Sequence, residues 1–282
     1  MADRFYMNLN KTYLWRKLRE WKILRQHRRA AEVCQKLIDD YRAHPSVETL
    51  LPKKDLGTEK IIWQYWAQGY ENVPLIVREC LDSVERFAGD YTLVRLTDDN
   101  LSEYLDLPEY VQSKRSLFSR AFFSDLLRVM LLSTYGGIWL DATILLTAPI
   151  SEKYAQCDFF VFYRDPKEPN YKYWRNTYAY YYGWAKGFRV NMLSSFMVAN
   201  KGSRTASDLC ALMLKWWKEN NYLPNYFFLQ ILFDVYGVPA EMPLVSDTLP
   251  HYLQQSMNDP SFALMPRDQI KTNIPIHKLT YK

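Results

Sequence analysis

Hydrophobic positions change their period several times along this chain, and each change marks an element. Through about Arg42, Leu14, Leu18, Trp21 and Leu24 recur at helical spacing with basic residues around them, the pattern of a long amphipathic helix. His44 and Pro45 end it, and LLPKKDLGTEK reads as a linker. From Lys60 the period shortens. KIIWQYWA reads as a strand, VPLIVRECLDSVERFA as an amphipathic helix with Pro74 near its first turn, and DYTLVRL as a second strand. That order implies a parallel strand pair joined by a right-handed crossover.

TDDNLSEYLDL predicts a helix with Thr97 as its N-cap and acids in its first turn. LFSRAFFSDLLRVMLLSTYGG is apolar almost all round, which predicts a buried helix closed by Gly136. YGGIWLDATILL follows as a strand, on which Asp141 and Thr143, two apart, face the same way. CDFFVFY and SSFMVAN read as further strands on either side of an aromatic insert at residues 171–188, with helices expected around 207–219 and 226–236. The alternation predicts an α/β domain with a mainly parallel sheet over residues 58–282, behind a basic helical extension and linker over residues 1–57. Ligands of such folds bind at the carboxyl ends of the parallel strands, and residues 63–66 and 141–143 lie near such ends.

Composition changes this picture in two respects. Aromatics make up 16% of the 282 residues, with 22 tyrosines, which suggests stacking surfaces as well as core. Charge is uneven: the net is only +5, yet residues 11–29 carry eight Lys or Arg and one acid, Glu20. Mixed with Trp and Leu, that stretch suits an interfacial helix on an anionic membrane better than a nucleic-acid arm, so no nucleic acid is expected. A helix simply packed on the domain is the alternative. The four cysteines, Cys34, Cys80, Cys157 and Cys210, have no metal-ligand spacing and read as reduced, buried thiols. With neither a leader pattern nor an apolar run long enough to span a bilayer, the chain reads as cytoplasmic or peripheral.

The chemistry-bearing residues cluster around the buried helix. Asp125 and Arg128 share a face at i, i+3, either as an internal ion pair or as a pair reaching a polar ligand. Asp141 is either a strand-end acid or part of the same site. The insert NYKYWRNTYAYYYGW, with Tyr181 and Trp184, can form an acceptor wall or a subdomain core. Asn225 and Gln230 are polar exceptions in NYFFLQILF and are candidates to face an anomeric carbon or an acceptor.

SRAFFSDLLRVMLLSTYGGIWLDAT, with KIIWQYWAQG upstream and IHKLTYK at the end, resembles the capsular polysaccharide synthesis glycosyltransferases. These are related to Och1-type mannosyltransferases and, distantly, to the clostridial glucosylating toxins. The resemblance implies a GT-A-type, Rossmann-like nucleotide-sugar-binding domain, a UDP-sugar or other nucleotide-sugar donor, and retaining transfer of a hexose. The implied acceptor is a saccharide or lipid-linked oligosaccharide of a surface polysaccharide, and the implied setting is the inner face of the bacterial plasma membrane. It gives Asp125, Arg128 and Asp141 catalytic roles and makes Trp63 a platform for the donor base. Gln64, Gly137, Thr143 and Lys278 join these residues around the donor. A divalent metal, Mn²⁺ or Mg²⁺, is implied at Asp141, Thr143 and His277, with Thr143 standing where many relatives have a second Asp. A silent sugar-nucleotide binder or assembly protein of the same pathway is the alternative function.

Overall fold

A computed structural model describes residues 13–45, 50–57, 60–178 and 180–281. Residues 1–12, with Lys11 of the basic stretch, and residues 58–59, at the expected domain boundary, lie outside the described residues.

The first element is the helix Tyr13–Ala43. Its buried face is Ile23, His27, Ala30, Cys34, Leu37 and Ile38, an i, i+4, i+7, i+11 series that packs on the helices Phe228–Tyr236 and Arg204–Glu219. These residues share one core with the sheet. The apolar stripe expected from the sequence is not the packing face. At about 100° per residue, Leu14, Leu18 and Trp21 lie on the side of the helix opposite Ile23 and Ala30, and they are 66, 49 and 60% exposed. No described helix is long and apolar enough to cross a membrane.

Five strands form the central sheet: β1 (Ile61–Tyr65), β2 (Thr92–Leu96), β3 (Gly137–Leu140), β5 (Phe159–Tyr163) and β6 (Met192–Ala199), in the order β2-β1-β3-β6-β5. β1 is parallel to both β2 and β3, whereas β6 is antiparallel to β3 and β5. The helix Leu75–Phe87 connects β1 to β2, as the sequence predicts. TDDNLSEYLDL departs from expectation. Thr97 Oγ1 accepts from the backbone of Asp99 and Asn100, and Asn100 Oδ1 accepts from Thr97 N. This reciprocal turn leaves only a 3₁₀ turn at Leu101–Glu103.

The buried helix runs Arg120–Tyr135, capped by Ser119, whose hydroxyl accepts from Phe122 N at 3.2 Å. Gly136 and Gly137 then turn the chain into the middle of the sheet at φ of 74° and 98°. A Cβ on Gly136 would lie 2.6 Å from Lys201 N, and one on Gly137 2.5 Å from Ile61 O. Only glycine lets β3 enter between β1 and β6 here.

The strand predicted through YGGIWLDATILL is two strands. β3 stops at Leu140, residues 141–143 form a turn closed by Ile144 N donating to Asp141 O at 2.9 Å, and β4 (Ile144–Leu146) pairs instead with β7 (Ile276–Lys278). The aromatic insert forms a second core around Trp174 and Tyr182, packed with Tyr252, Phe262 and Ile270. It is tied to the sheet by Arg164, which forks onto Asp247 at 2.9 and 2.8 Å and donates to Gly183 O. All four cysteines are buried thiols.

Candidate functional site

Where β1 and β3 end and β6 begins, a cavity of about 350 Å³ opens, a size suited to a small ligand. β6 runs against β3, so its first residues, Leu193, Ser194 and Ser195, meet the carboxyl end of β3, and Asp141 N donates to Ser195 O at 2.9 Å. The buried helix contributes Ser124, Asp125 and Arg128; the turn after β3 contributes Asp141 and Thr143; β7 contributes Lys278.

Five side chains from three elements converge here. Arg128 Nη1 lies 3.2 Å from Asp125 Oδ1 and Arg128 Nη2 lies 3.4 Å from Asp141 Oδ1, so one guanidinium bridges both acids. Lys278 Nζ lies 3.3 Å from Asp141 Oδ2 and also donates to Thr143 Oγ1. Trp139 Nε1 donates to Asp141 Oδ1 at 2.8 Å. Burial pushes the Asp141 carboxyl up, but Arg128, Lys278 and Trp139 outweigh it and hold its pKa below the usual carboxylate range. Burial raises Asp125 to about 6, with Arg128 opposing the rise and Asp141 adding to it.

Arg128, which the resemblance places at the donor, is held by protein groups. Its Nε donates to Ser124 O at 3.2 Å, Nη2 to Ser124 Oγ at 3.2 Å and Nη1 to Ser194 O at 2.6 Å. With both acids added, the fork is committed to protein groups and the side chain is buried. In this arrangement the guanidinium bridges the two carboxylates. Lys278 and Asp141 remain partly accessible in the cavity.

Other expected residues divide clearly. Gln230 lines the cavity, its Nε2 donating to Ser194 Oγ at 2.9 Å while its buried Oε1 has no protein partner. Ser195 Oγ beside it is likewise without one. Buried orphan polar atoms at a cavity are suited to the hydroxyls of a ligand. Tyr181 also lines the cavity. Trp63 does not. It is 0% exposed, donates Nε1–H to Gly136 O at 2.9 Å and packs on Tyr104 and Tyr135, so its ring has no face free for a base. Gln64 and Gly137 are buried in the sheet away from the cavity. Trp184 belongs to the insert, stacked near Tyr182 with Nε1 donating to Asp165 O. Asn225 closes a turn by accepting from Phe227 N and borders a separate depression.

His277 is the clearest correction. Along β7, side chains alternate faces, so Lys278 and His277 point opposite ways. His277 is fully buried with Nε2 3.4 Å from Thr147 Oγ1, and burial lowers its pKa to about 4. It cannot complete a metal shell with Asp141. Among the described residues no group of three or more His, Cys, Asp or Glu could hold a metal ion. The residues around Asp141 do not fit a divalent cation. The one carboxylate is already shared by an arginine and a lysine and the neutral hydroxyl is taken by the same lysine, which leaves a hard ion no free protein oxygen at this turn and only substrate phosphates and water to fill its shell.

The cavity rim holds residues that sequence reasoning did not single out: Trp66, Tyr226, His251 and Tyr281. Trp66 follows the last residue of β1 and meets Tyr281 edge-on at 5.5 Å. Its position just past a strand's carboxyl end was the available signal. His251 Nδ1 sits 2.7 Å from Tyr182 Oη and 3.0 Å from Asp247 O; no local pattern marks it.

A sequence profile described as capsular polysaccharide synthesis protein matches residues 14–282. The chain is also 32% identical over 107 residues to the O-glycosyltransferase braB of Annulohypoxylon truncatum, covering 33% of this chain and 25% of that protein. It is 28% identical over 136 residues to the O-glycosyltransferase PaGT of Phomopsis amygdali, covering 44% and 32% respectively. The matches thus span about a quarter to a third of the length of these relatives. No solved structure matches the chain significantly. With nearly its whole length matched, from the long N-terminal helix through the β7 lysine, the chain belongs to the capsular polysaccharide synthesis protein family.

Proposed function

We propose that this chain is a glycosyltransferase that moves a hexose from a nucleoside diphosphate sugar, UDP-linked in the first instance, to a saccharide or lipid-linked acceptor of a surface polysaccharide, with retention. The observation that supports this reading is the convergence of Asp125, Arg128, Asp141, Thr143 and Lys278 on one cavity at the strand ends. The family and the names of the two relatives support the same reaction class; retention rests on the resemblance alone. Carboxylate, amide and hydroxyl groups at the cavity suit sugar hydroxyls, and the aromatic rim suits a base or a second sugar ring. As the bond from the anomeric carbon to the diphosphate breaks, negative charge gathers on the leaving oxygen, and a nearby ammonium such as Lys278 offsets it.

The N-terminal helix supports docking on an anionic membrane surface. Leu14, Leu18 and Trp21 are exposed on one face with Lys17, Lys22, Arg25 and Arg28 around them, an arrangement suited to lying in a lipid interface. There the enzyme would meet a lipid-linked acceptor.

Nucleotide release from a panel of UDP- and GDP-hexoses, with lipid-linked and soluble saccharides as acceptors, tests the reaction. Release by the wild type that Asp141→Ala abolishes is the expected result. Tight binding of a nucleotide sugar without release under any pairing would instead make the chain a silent binder of the same pathway.

A further inference from the structure

We propose that the Lys278 ammonium takes the place of a divalent cation in this site, so that the chain binds a nucleoside diphosphate without metal. The inference rests on the donor-site reading above and goes beyond it by naming the cation.

Backbone pairing delivers the lysine. β4 and β7 are antiparallel with Ile144 opposite Lys278, and Leu279 N donates to Thr143 O at 2.9 Å. That register carries Nζ to the two side-chain oxygens of the D-x-T turn, contacting Thr143 Oγ1 and lying 3.3 Å from Asp141 Oδ2. Those are the oxygens a bound ion would need. An ammonium has three N–H donors, and the two used on Asp141 and Thr143 leave one for an oxygen in the cavity that Lys278 lines.

Charge argues the same way. A divalent ion on Asp141 would sit against Lys278 and against Arg128, already 3.3 and 3.4 Å from that carboxylate, and like charges at such distances repel strongly where water is scarce. A second aspartate would hold the ammonium more tightly but cancel its charge, which threonine does not. The threonine hydroxyl accepts the N–H while adding no negative charge to repel the phosphates. The ammonium, held by two protein oxygens, is pre-positioned for the leaving group and needs no reorganisation as charge develops.

Calorimetric titration of the purified full chain with UDP and GDP, in excess EDTA and in excess MnCl₂, tests this. Wild type is expected to bind one nucleotide with affinities in the two buffers agreeing within about twofold, and Lys278→Met to bind about tenfold to a hundredfold more weakly in EDTA, as for loss of a charged hydrogen bond. Lys278→Arg, which keeps the charge, should retain most of the metal-free binding and shows that the site still folds. The double variant Thr143→Asp, Lys278→Ala should bind only with MnCl₂. Wild-type binding that disappears in EDTA and returns with MnCl₂, or a folded Lys278→Met that binds as wild type does, overturns the lysine's role. Failure of folded wild type to bind either nucleotide in both buffers overturns the donor-site reading itself.

Discussion

Lys278 and Thr143 touch across the β4–β7 ribbon although 135 positions separate them in the chain. Both line the cavity, where Lys278 reaches one oxygen of Asp141 and Arg128 of the buried helix lies 3.4 Å from the other. Asp141 is thus fixed between two cations contributed by distant parts of the sequence.

Arg128→Met should be costly to stability as well as to activity. It leaves Asp125 buried without its counter-charge, which typically destabilises by ~3–5 kcal/mol. The Tm should fall clearly, and Asp125→Asn in the same chain should recover much of the loss. Additive losses in the double variant would show that the two side chains do not act as a pair.

Acidification should act on two sets of groups with opposite signs. Burial lowers His27, His251 and His277 each to about 4, so the unfolded chain takes up protons first. Their contribution to stability is present above the ordinary histidine pKa of about 6.5 and is lost as pH falls toward the folded values. Asp125, raised to about 6, works the other way. Its contribution is present below the ordinary carboxylate pKa of about 3.9 and is lost as pH rises through about 6. Melting curves should show net loss of stability between neutral pH and about pH 4.5, and Asp125→Asn should deepen that loss relative to wild type. An identical pH dependence in the two proteins would refute the assignment to Asp125.

Trp63 and Trp66 should separate core from site. Trp63→Phe removes the donor to Gly136 O and some buried volume, costing ~1–3 kcal/mol of stability, with donor affinity unchanged in a binding titration. Trp66→Ala, at the cavity rim, should cost some stability through its partial packing on Val77, Leu81 and Ala142 but, unlike Trp63→Phe, should weaken donor or acceptor binding about tenfold, as loss of a stacking face does. The reverse pattern would return Trp63 to the role of base platform.

Membrane docking is measured by co-sedimentation with vesicles of phosphatidylglycerol and of phosphatidylcholine. Binding should favour the anionic vesicles and weaken with salt. Leu18→Glu with Trp21→Glu, both exposed, should reduce it at least about tenfold by removing the inserted apolar surface, without lowering the Tm. Equal sedimentation of wild type and the double variant would dismiss this face as the docking surface.

Much of the fold can be read from the chain's own patterns. The β1–helix–β2 unit, the apolar helix closed by Gly136, the glycine pair there and the strands β5 and β6 are local events, set by period and backbone freedom within a few residues. The nearness of Asp125, Arg128 and Asp141 also follows from short range, because one helix and one glycine turn join them. The misreadings share a cause as well. Along the N-terminal helix two apolar stripes compete, and the sequence does not say which one a distant helix will cover. In IIWQYW, the tryptophan that reaches the cavity is decided by where β1 ends.

The chain by itself determined the α/β order of elements, the buried helix carrying Asp125 and Arg128, and the acid at the end of the strand after it. Tertiary structure alone decided the rest. Pairing of β7 with β4 set Lys278 toward Asp141 and Thr143 and turned His277 away, because a strand alternates its side chains and its register is chosen by a partner remote in sequence.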